Sequence, residues 1–327
     1  MATVVFMGTP DFAAGILQSL IDSGYGVTAV FTQPDRPKGR KAKLTMPPVK
    51  ELALEKGIPV YQPQKIRLPE NARILRELHP DYIVVAAFGQ IIPQEILDIP
   101  PYGCLNVHAS LLPAWRGAAP IQWSILSGDR MTGVTIMRMD AGLDTGDMIL
   151  KSEVEIADGE TGDSLFEKLR KEGAGLLLQA MEQIRNGTAV YTGQPLESTT
   201  PYAKMLTRKS GLIDWNMGAV QIERMVRAYD SWPGTYTYLN GKMLKILKTR
   251  CLSPAEGERI IQETGRVQGE AGEILAVRKE DLIIRTGDGL LCVLEVQPEG
   301  KKRMETAAYL RGYHPQPGEL LRTDRPD

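Results

Sequence analysis

Asn106 and His108 stand two residues apart in an otherwise apolar run, C-L-N-V-H-A-S-L-L-P-A-W-R-G over residues 104–117. In a strand alternate side chains share a face, so the amide and the imidazole project together while Leu105 and Val107 project the other way. An amide that donates hydrogens beside an imidazole that handles protons near neutral pH is equipment for polar group chemistry. Taken alone, a histidine at a strand end is more often a satisfied structural residue, because an unsatisfied buried polar group costs about 1–3 kcal/mol. Pro113 and Gly117 stiffen and then turn the following loop, and in open α/β sheets ligands bind outside the carboxyl ends of strands. The site reading is therefore preferred. A further carboxylate, Asp144, comes from the glycine-punctuated run D-A-G-L-D-T-G-D over 140–147. Its three aspartates invite a calcium reading, but the EF-hand order with its terminal glutamate is absent, so no metal is expected and Asp144 is read as a carboxylate delivered to the pocket.

The elements that would position these residues form an alternating series. Strand patterns over 3–7, 27–31, 59–61 and 82–87 precede the strand of Asn106 and His108, with helical patterns over 11–23, 48–56, 70–78 and 118–127 between and after them. Strands over 134–137 and 148–156 follow, then a long helix over 162–186 with Leu165, Leu169, Leu176 and Met181 on its apolar side. The expected fold is α/β, a Rossmann-like open and mostly parallel sheet. Its first turn, Gly8-Thr9-Pro10, has no G-x-G-x-x-G, so a dinucleotide cofactor is not expected.

The loop over 32–46 carries Arg36, Lys38, Arg40, Lys41 and Lys43 among Pro34, Pro37 and Gly39, with only Asp35 opposing them. No periodic apolar residue anchors it, so it is expected to be exposed and mobile. Such loops are usually only solvated, but this density of cations at the ligand-binding edge of a sheet favours phosphate contacts.

Residues 186–209 lack a period and are rich in Thr, Pro and Gly, which suggests an interdomain linker. A helix over 219–229 is followed by strands over 236–239 and 243–247 around an Asn240-Gly241 turn, then by strands over 282–285 and 290–296. These suggest a small closed OB-like β-barrel of about five strands. Lys301, Lys302 and Arg303 would lie at its rim, where a solvated turn and a nucleic-acid contact both fit. The expected boundaries are a first domain over 1–189, a linker over 190–207 and a second domain over 208–327.

At 327 residues, the chain is long enough for two domains, each with its own core. Its net charge of -1 is uneven: from residue 204 onward 20 Lys plus Arg face 17 Asp plus Glu, against 19 and 23 before it. That surplus is too small to establish nucleic-acid binding by itself. Cys104, Cys251 and Cys292 are widely spaced and share no ligand-like spacing with His79, His108 and His314, so neither disulfides nor a zinc site is expected. With no charged leader or long apolar run at the start, a cytoplasmic protein is expected.

The motifs N-V-H-A-S-L-L-P, G-A-A-P-I-Q-W and D-A-G-L-D-T-G-D, with G-T-P-D-F near the start and F-T-Q-P-D-R-P-K-G-R after the second strand, resemble those of the methionyl-tRNA formyltransferases. The resemblance extends over most of the chain. The Asn, His, S-L-L-P and Asp set marks the wider folate-dependent formyltransferase superfamily, and the basic loop and second domain narrow it. It implies transfer of the formyl group of 10-formyltetrahydrofolate to the amino group of methionyl initiator tRNA, for translation initiation. By that resemblance Asn106, His108 and Asp144 are catalytic, and Ser110, Leu111, Leu112 and Pro113 with the turn Phe88, Gly89 and Gln90 lie along the folate. Arg36, Lys38, Arg40, Lys41, Lys43, Lys301, Lys302 and Arg303 would contact the tRNA. No metal, membrane or obligate protein partner is implied.

Formyl transfer to an amine passes through a tetrahedral intermediate that needs an oxyanion donor, a proton manager and exclusion of water. Asn106 can donate to the oxyanion, His108 can stabilise it and handle protons, and Asp144 can orient the imidazole or a relaying water. No Ser or Cys nucleophile is required, and Cys104, deeper on the strand, is read as core, as are Met137, Met139 and Trp115 in preference to an apolar substrate pocket. Two other readings remain: a formyltransferase acting on an amino sugar nucleotide or other small amine, and a catalytically silent RNA-binding module.

Overall fold

Short apolar runs alternate with amphipathic segments, and each run becomes a strand covered on its faces. The computed structural model describes residues 2–38 and 43–324, with the side chains of Lys38 and Lys43 excepted. Two compact units form, the first from Met1–Ile121, Arg130–Ile156 and Ser164–Met205, the second from Gln122–Asp129, Ala157–Asp163 and Leu206–Asp327.

The earlier elements run β1 (Thr3–Gly8), α1 (Asp11–Asp22), β2 (Gly26–Phe31), β3 (Arg36–Lys38), β4 (Lys43–Thr45), α2 (Pro48–Glu55), β5 (Val60–Tyr61), α3 (Pro69–Glu77), β6 (Tyr82–Ala86), α4 (Gln94–Leu97), β7 (Cys104–His108), α5 (Pro120–Ser127), β8 (Met131–Arg138), β9 (Met148–Glu155) and α6 (Gly162–Arg185). Seven strands make one sheet in the order β5-β2-β1-β6-β7-β8-β9. Pairing is parallel as far as β7, and β8 and β9 join antiparallel. This is the expected open, mostly parallel α/β layout, with an antiparallel edge.

The sheet fixes which way β7 presents its side chains. A Cβ on Gly173 of α6 would come within 2.9 Å of Val107 Cγ1, so the absence of a side chain there lets the helix seat directly on Val107. Leu105 and Val107 therefore face α6, and Cys104, Asn106 and His108 face the opposite side. Cys104 lies in the core there with Val85, Ile96 and Leu97. Asn106 and His108 continue that face toward the carboxyl end of the strand, paired in register with Met137 and Thr135 of β8.

The basic segment departs from the expectation of an irregular mobile loop. β3 and β4 pair antiparallel, Arg36 with Thr45, Pro37 with Leu44 and Lys38 with Lys43. A two-stranded ribbon tolerates Pro37 because each of its strands has an unpaired edge where a missing N–H leaves no ladder bond unmade. Below the ribbon, Lys50 holds Asp35 at 2.8 Å and also donates to Gln62 at 2.8 Å. Arg40 and Lys41 lie outside the described residues.

The second unit comprises α7 (Ala219–Ala228), β10 (Thr235–Leu239), β11 (Lys242–Cys251), α8 (Pro254–Thr264), β12 (Ile274–Val277), β13 (Leu282–Arg285), β14 (Leu290–Pro298), β15 (Met304–Glu305) and α9 (Thr306–Tyr313). The β10–β11 hairpin turns at Asn240-Gly241, both at positive φ, as expected. Its sheet has the order β10-β11-β14-β13-β12, with β15 on β14. The expected closed barrel is met only as far as a sheet: among the described residues, the outer strands β10 and β12 do not pair with each other. Instead the segment over 318–322 bonds to both, Tyr238 N–H to Arg322 O at 3.0 Å and Ile274 N–H to Glu319 O at 2.8 Å. Among the described residues, no helix is long and apolar enough to cross a membrane.

Candidate active site

β7 ends in a buried polar pair, with Asn106 at 9% exposure and His108 at 6%. His108 Nε2 lies 3.1 Å from the Trp115 carbonyl. A carbonyl only accepts, so Nε2 carries a hydrogen and donates it, which leaves Nδ1 as the ring atom able to gain or lose a proton. Nδ1 stands 3.7 Å from Asp144 Oδ1. The Asn106 amide has no hydrogen-bond partner among the described residues, although its position is almost fully buried. Its amide atoms are not among the fully buried unpartnered ones, so the amide opens onto space that a ligand or water can fill.

Asp144 is delivered by a strained loop. Its backbone adopts φ +54, a left-handed conformation that aspartate tolerates better than most residues. Oδ2 accepts the Gly117 N–H at 2.8 Å, which turns Oδ1 toward the imidazole. Gly117 itself is at φ +129, and a Cβ there would lie 2.6 Å from Ala203 O and 2.7 Å from the Tyr202 ring. Burial, and then the Asp144 carboxylate, push the Tyr202 hydroxyl above its ordinary value. In the same loop Asp140 accepts from Gly142 N–H at 3.0 Å and from the Thr145 hydroxyl at 2.8 Å, so its carboxylate shapes the loop. Among the described residues, no group of three or more His, Cys, Asp or Glu side chains is arranged to hold a metal ion.

The loop after β7 is held from within. The Ser110 hydroxyl donates to Ala114 O at 2.6 Å, and Thr135 of β8 donates its hydroxyl to Ser110 O at 2.7 Å while accepting Leu112 N–H at 3.1 Å. Leu112 is fully buried against Met137 and Met148. Leu111 lies against β8, where its side chain fills the space a Cβ on Gly133 would take. Lys151 of β9 donates to Leu112 O. Cys104 and Met137 are core, and burial pushes the Cys104 thiol far above its ordinary value, so it supplies no nucleophile.

The turn after β6 is fixed too. Ala87 and Gly89 are at φ +45 and +79, and the Phe88 ring is buried in the core while its carbonyl accepts from Gln33 Nε2 at 3.0 Å. Gln90 accepts Ile66 N–H at 2.6 Å and donates to Pro63 O at 3.1 Å, which ties the turn to the chain before α3.

Arg36 is exposed, with one bond of 3.4 Å to Gln33. Lys301 and Lys302 are exposed, and Arg303 is paired with Glu295.

Two residues of this region escape a sequence reading. Arg116 is 7% exposed, and its guanidinium donates to Gln194 Oε1 at 2.9 and 3.1 Å, to Pro195 O at 2.8 Å and to Leu196 O at 3.1 Å. Gln194 Nε2 donates in turn to Asp144 O at 3.0 Å and Gly146 O at 2.8 Å. The segment expected to be a linker is thus strapped across the loops of the site, with Trp115 N–H on Thr200 at 2.7 Å and the Ser198 hydroxyl on Pro113 O at 2.7 Å. The one sequence signal for Arg116 is that it is the only charged side chain between Ala109 and Gly128. Gln194 carries no such signal.

Known proteins resemble the chain over nearly its whole length. Residues 1–181 match the family described as formyl transferase, and residues 205–314 match the formyl transferase C-terminal domain. The chain is 50% identical over 318 residues to a methionyl-tRNA formyltransferase of Agathobacter rectalis, covering 97% of this chain and 99% of that one. It is 47% identical over 318 residues to a methionyl-tRNA formyltransferase of Geobacter sulfurreducens, covering 97% and 96%. Among solved structures, HypX from Aquifex aeolicus in complex with tetrahydrofolic acid superposes with a TM-score of 0.61 at 19% identity, covering 94% of this chain. The chain spans about half the length of HypX, 46%, and that likeness speaks for the fold alone. The near-complete coverage at about half identity, with both parts of the sequence matched in order, shows that the chain belongs to the methionyl-tRNA formyltransferase family.

Proposed function

We infer that the protein transfers the formyl group of 10-formyltetrahydrofolate to the free amino group of methionyl initiator tRNA. The observation that carries the chemical part is the buried set at the end of β7, an unpartnered Asn106 amide beside a His108 whose Nδ1 faces Asp144. The amine attacks the formyl carbon and the carbonyl oxygen becomes an oxyanion. The Asn106 amide hydrogens stabilise that charge, a contribution worth roughly 100- to 1000-fold in rate for a single donor. The proton leaving the amine is managed at His108 Nδ1, because Nε2 is already committed to Trp115 O. The Asp144 carboxylate stabilises the imidazolium that forms, and the proton then reaches the departing folate nitrogen. Asn106, His108 and Asp144 are thus the catalytic residues. No covalent intermediate is needed.

The folate lies along Ser110, Leu111, Leu112, Pro113 and the turn of Phe88, Gly89 and Gln90. Because the side chains of Ser110, Leu112, Phe88 and Gln90 are committed to the protein, these segments offer backbone groups and shape more than side-chain donors. Acceptor-arm phosphates of the tRNA meet Arg36, Lys38, Arg40, Lys41 and Lys43. A second domain over 208–327, joined through 190–207 to the catalytic domain over 1–189, acts as an OB-like barrel with Lys301, Lys302 and Arg303 against the RNA. Support for the barrel comes from the 318–322 segment, which bonds to both outer strands. Its place of work is the cytoplasm, where charged initiator tRNA is used.

The test is incubation with 10-formyltetrahydrofolate and a panel of charged tRNAs and amino sugar nucleotides. Formylation of methionyl initiator tRNA alone is the expected result. Formylation of a sugar amine in preference, or of nothing, overturns the reading.

A further inference from the structure

We propose that Gln194 is a positioning residue for the His108–Asp144 pair and that Arg116 is the buried cation that orients it, a proposal that rests on the site assignment above. Gln194 uses its whole amide. Both hydrogens go to carbonyls of the loop that carries Asp144, and its oxygen takes two donors of the Arg116 guanidinium. The amide has one workable orientation, since a flip would set N–H against guanidinium and oxygen against carbonyl oxygens. Arg116 is 7% exposed and finds amide and carbonyl oxygens but no carboxylate among the described residues. A buried cation without a counter-ion is retained only where several charge-assisted bonds hold it in one geometry.

The bond from Gln194 falls on the carbonyl of Asp144 itself. It fixes the peptide plane leaving a residue already held at φ +54, and with it the direction of the Asp144 Cα–Cβ bond. Gly117 then grips Oδ2 at 2.8 Å. With the backbone and one oxygen held, Oδ1 has one place to be, 3.7 Å from His108 Nδ1. Release of the backbone frees the carboxylate to follow its loop outward, and a displacement of about 1 Å at a catalytic group lowers rate by up to about 100-fold.

Two variants separate this role from plain packing. Gln194→Met keeps the side-chain length and loses every bond. Gln194→Glu keeps acceptors for Arg116 but turns an oxygen toward the Asp144 and Gly146 carbonyls, so the strap stays while the loop is repelled. Both should lower kcat by about 10- to 100-fold with KM for the folate within about twofold of wild type, and Gln194→Glu should keep the wild-type melting temperature. In an Asp144→Asn background, Gln194→Met should cost less than about twofold more, because a positioning residue has nothing left to position. Wild-type kcat in both Gln194 variants, or a full additional loss in the Asp144→Asn background, overturns the proposal. An Asp144→Asn enzyme with wild-type kcat would instead overturn the site assignment, whatever Gln194 does.

Discussion

His108 Nδ1 and Asp144 Oδ1 are 3.7 Å apart, beyond a hydrogen bond and well within the reach of charge. In a histidine–carboxylate pair bonded directly, the carboxylate both selects the tautomer and stabilises the imidazolium. Here the two duties are divided. The Trp115 carbonyl, 3.1 Å from Nε2, selects the tautomer, and in the proposed mechanism Asp144 is left with the charge.

Asp144→Asn should therefore slow chemistry without disarranging the ring. A kcat lower by roughly 100-fold, the scale of a general acid–base contribution, is expected. It should fall short of the roughly 10,000-fold seen where the carboxylate also holds the tautomer. Folate titration should give wild-type affinity. An equal loss of affinity and rate would make Asp144 a binding residue.

His108→Ala and Asn106→Ala should each lower kcat by about 100-fold or more, since in the proposed mechanism both act on the transition state. Neither side chain is needed to close the core, which on that face of β7 is carried by Cys104, Val85 and Ile96. Circular dichroism and melting temperature should stay near wild type. Activity within a few-fold of wild type in either variant removes that residue from the mechanism.

Gly117→Ala should damage both stability and rate. The new Cβ would sit 2.6 Å from a backbone oxygen that cannot step aside, at a φ of +129 that an L side chain rarely adopts. A destabilisation of about 1–3 kcal/mol is expected from strain of this type. Because the Gly117 N–H holds Asp144 Oδ2, kcat should fall with it. Differential scanning calorimetry and a formylation assay on the same sample check this, and a variant unchanged in both would show that the loop relaxes freely.

Much of the α/β unit is legible in the sequence because each strand is a short apolar run bounded by turn residues, and a parallel sheet demands that pattern. The strand of the candidate site can be read for the opposite reason, since Asn106 and His108 break that pattern. What escapes depends on long-range pairing. Gln194 lies in a stretch with no period, and nothing local says that its amide meets Asp144 O, 50 residues away. A closed barrel is expected from strand number, but among the described residues the outer strands β10 and β12 do not pair, and what bonds to both is residues 318–322, with no strand pattern of their own. α8 is a different case. Ser253 accepts from Glu256 N–H and Glu256 from Ser253 N–H, a capping box with Pro254 at its start, and this S-P-A-E signal is present in the sequence.

The ribbon of β3 and β4 bears the last prediction. Its pairing gives the segment a defined base on either side of residues 39–42, and the acid at its foot, Asp35, is held by Lys50 and Gln62. The one carboxylate that the sequence places among the cations of this segment is thus already held by other residues. Phosphates are the partners such a row can find, and each phosphate that is bound releases counterions from the RNA. Neutralising Arg40, Lys41 and Lys43 together should weaken tRNA binding and flatten the slope of log K against log salt by up to about 0.9 for each phosphate no longer bound, at duplex-like charge density. The same variant should raise KM for the tRNA and leave KM for the folate near wild type, because the Phe88 turn and the Ser110–Pro113 loop keep their own bonds without the ribbon's cations. Any hydrolysis of 10-formyltetrahydrofolate measured without tRNA should be unchanged. If both KM values move together the ribbon shapes the folate site, if neither moves its cations are only solvated, and in either case tRNA recognition must come from the second unit.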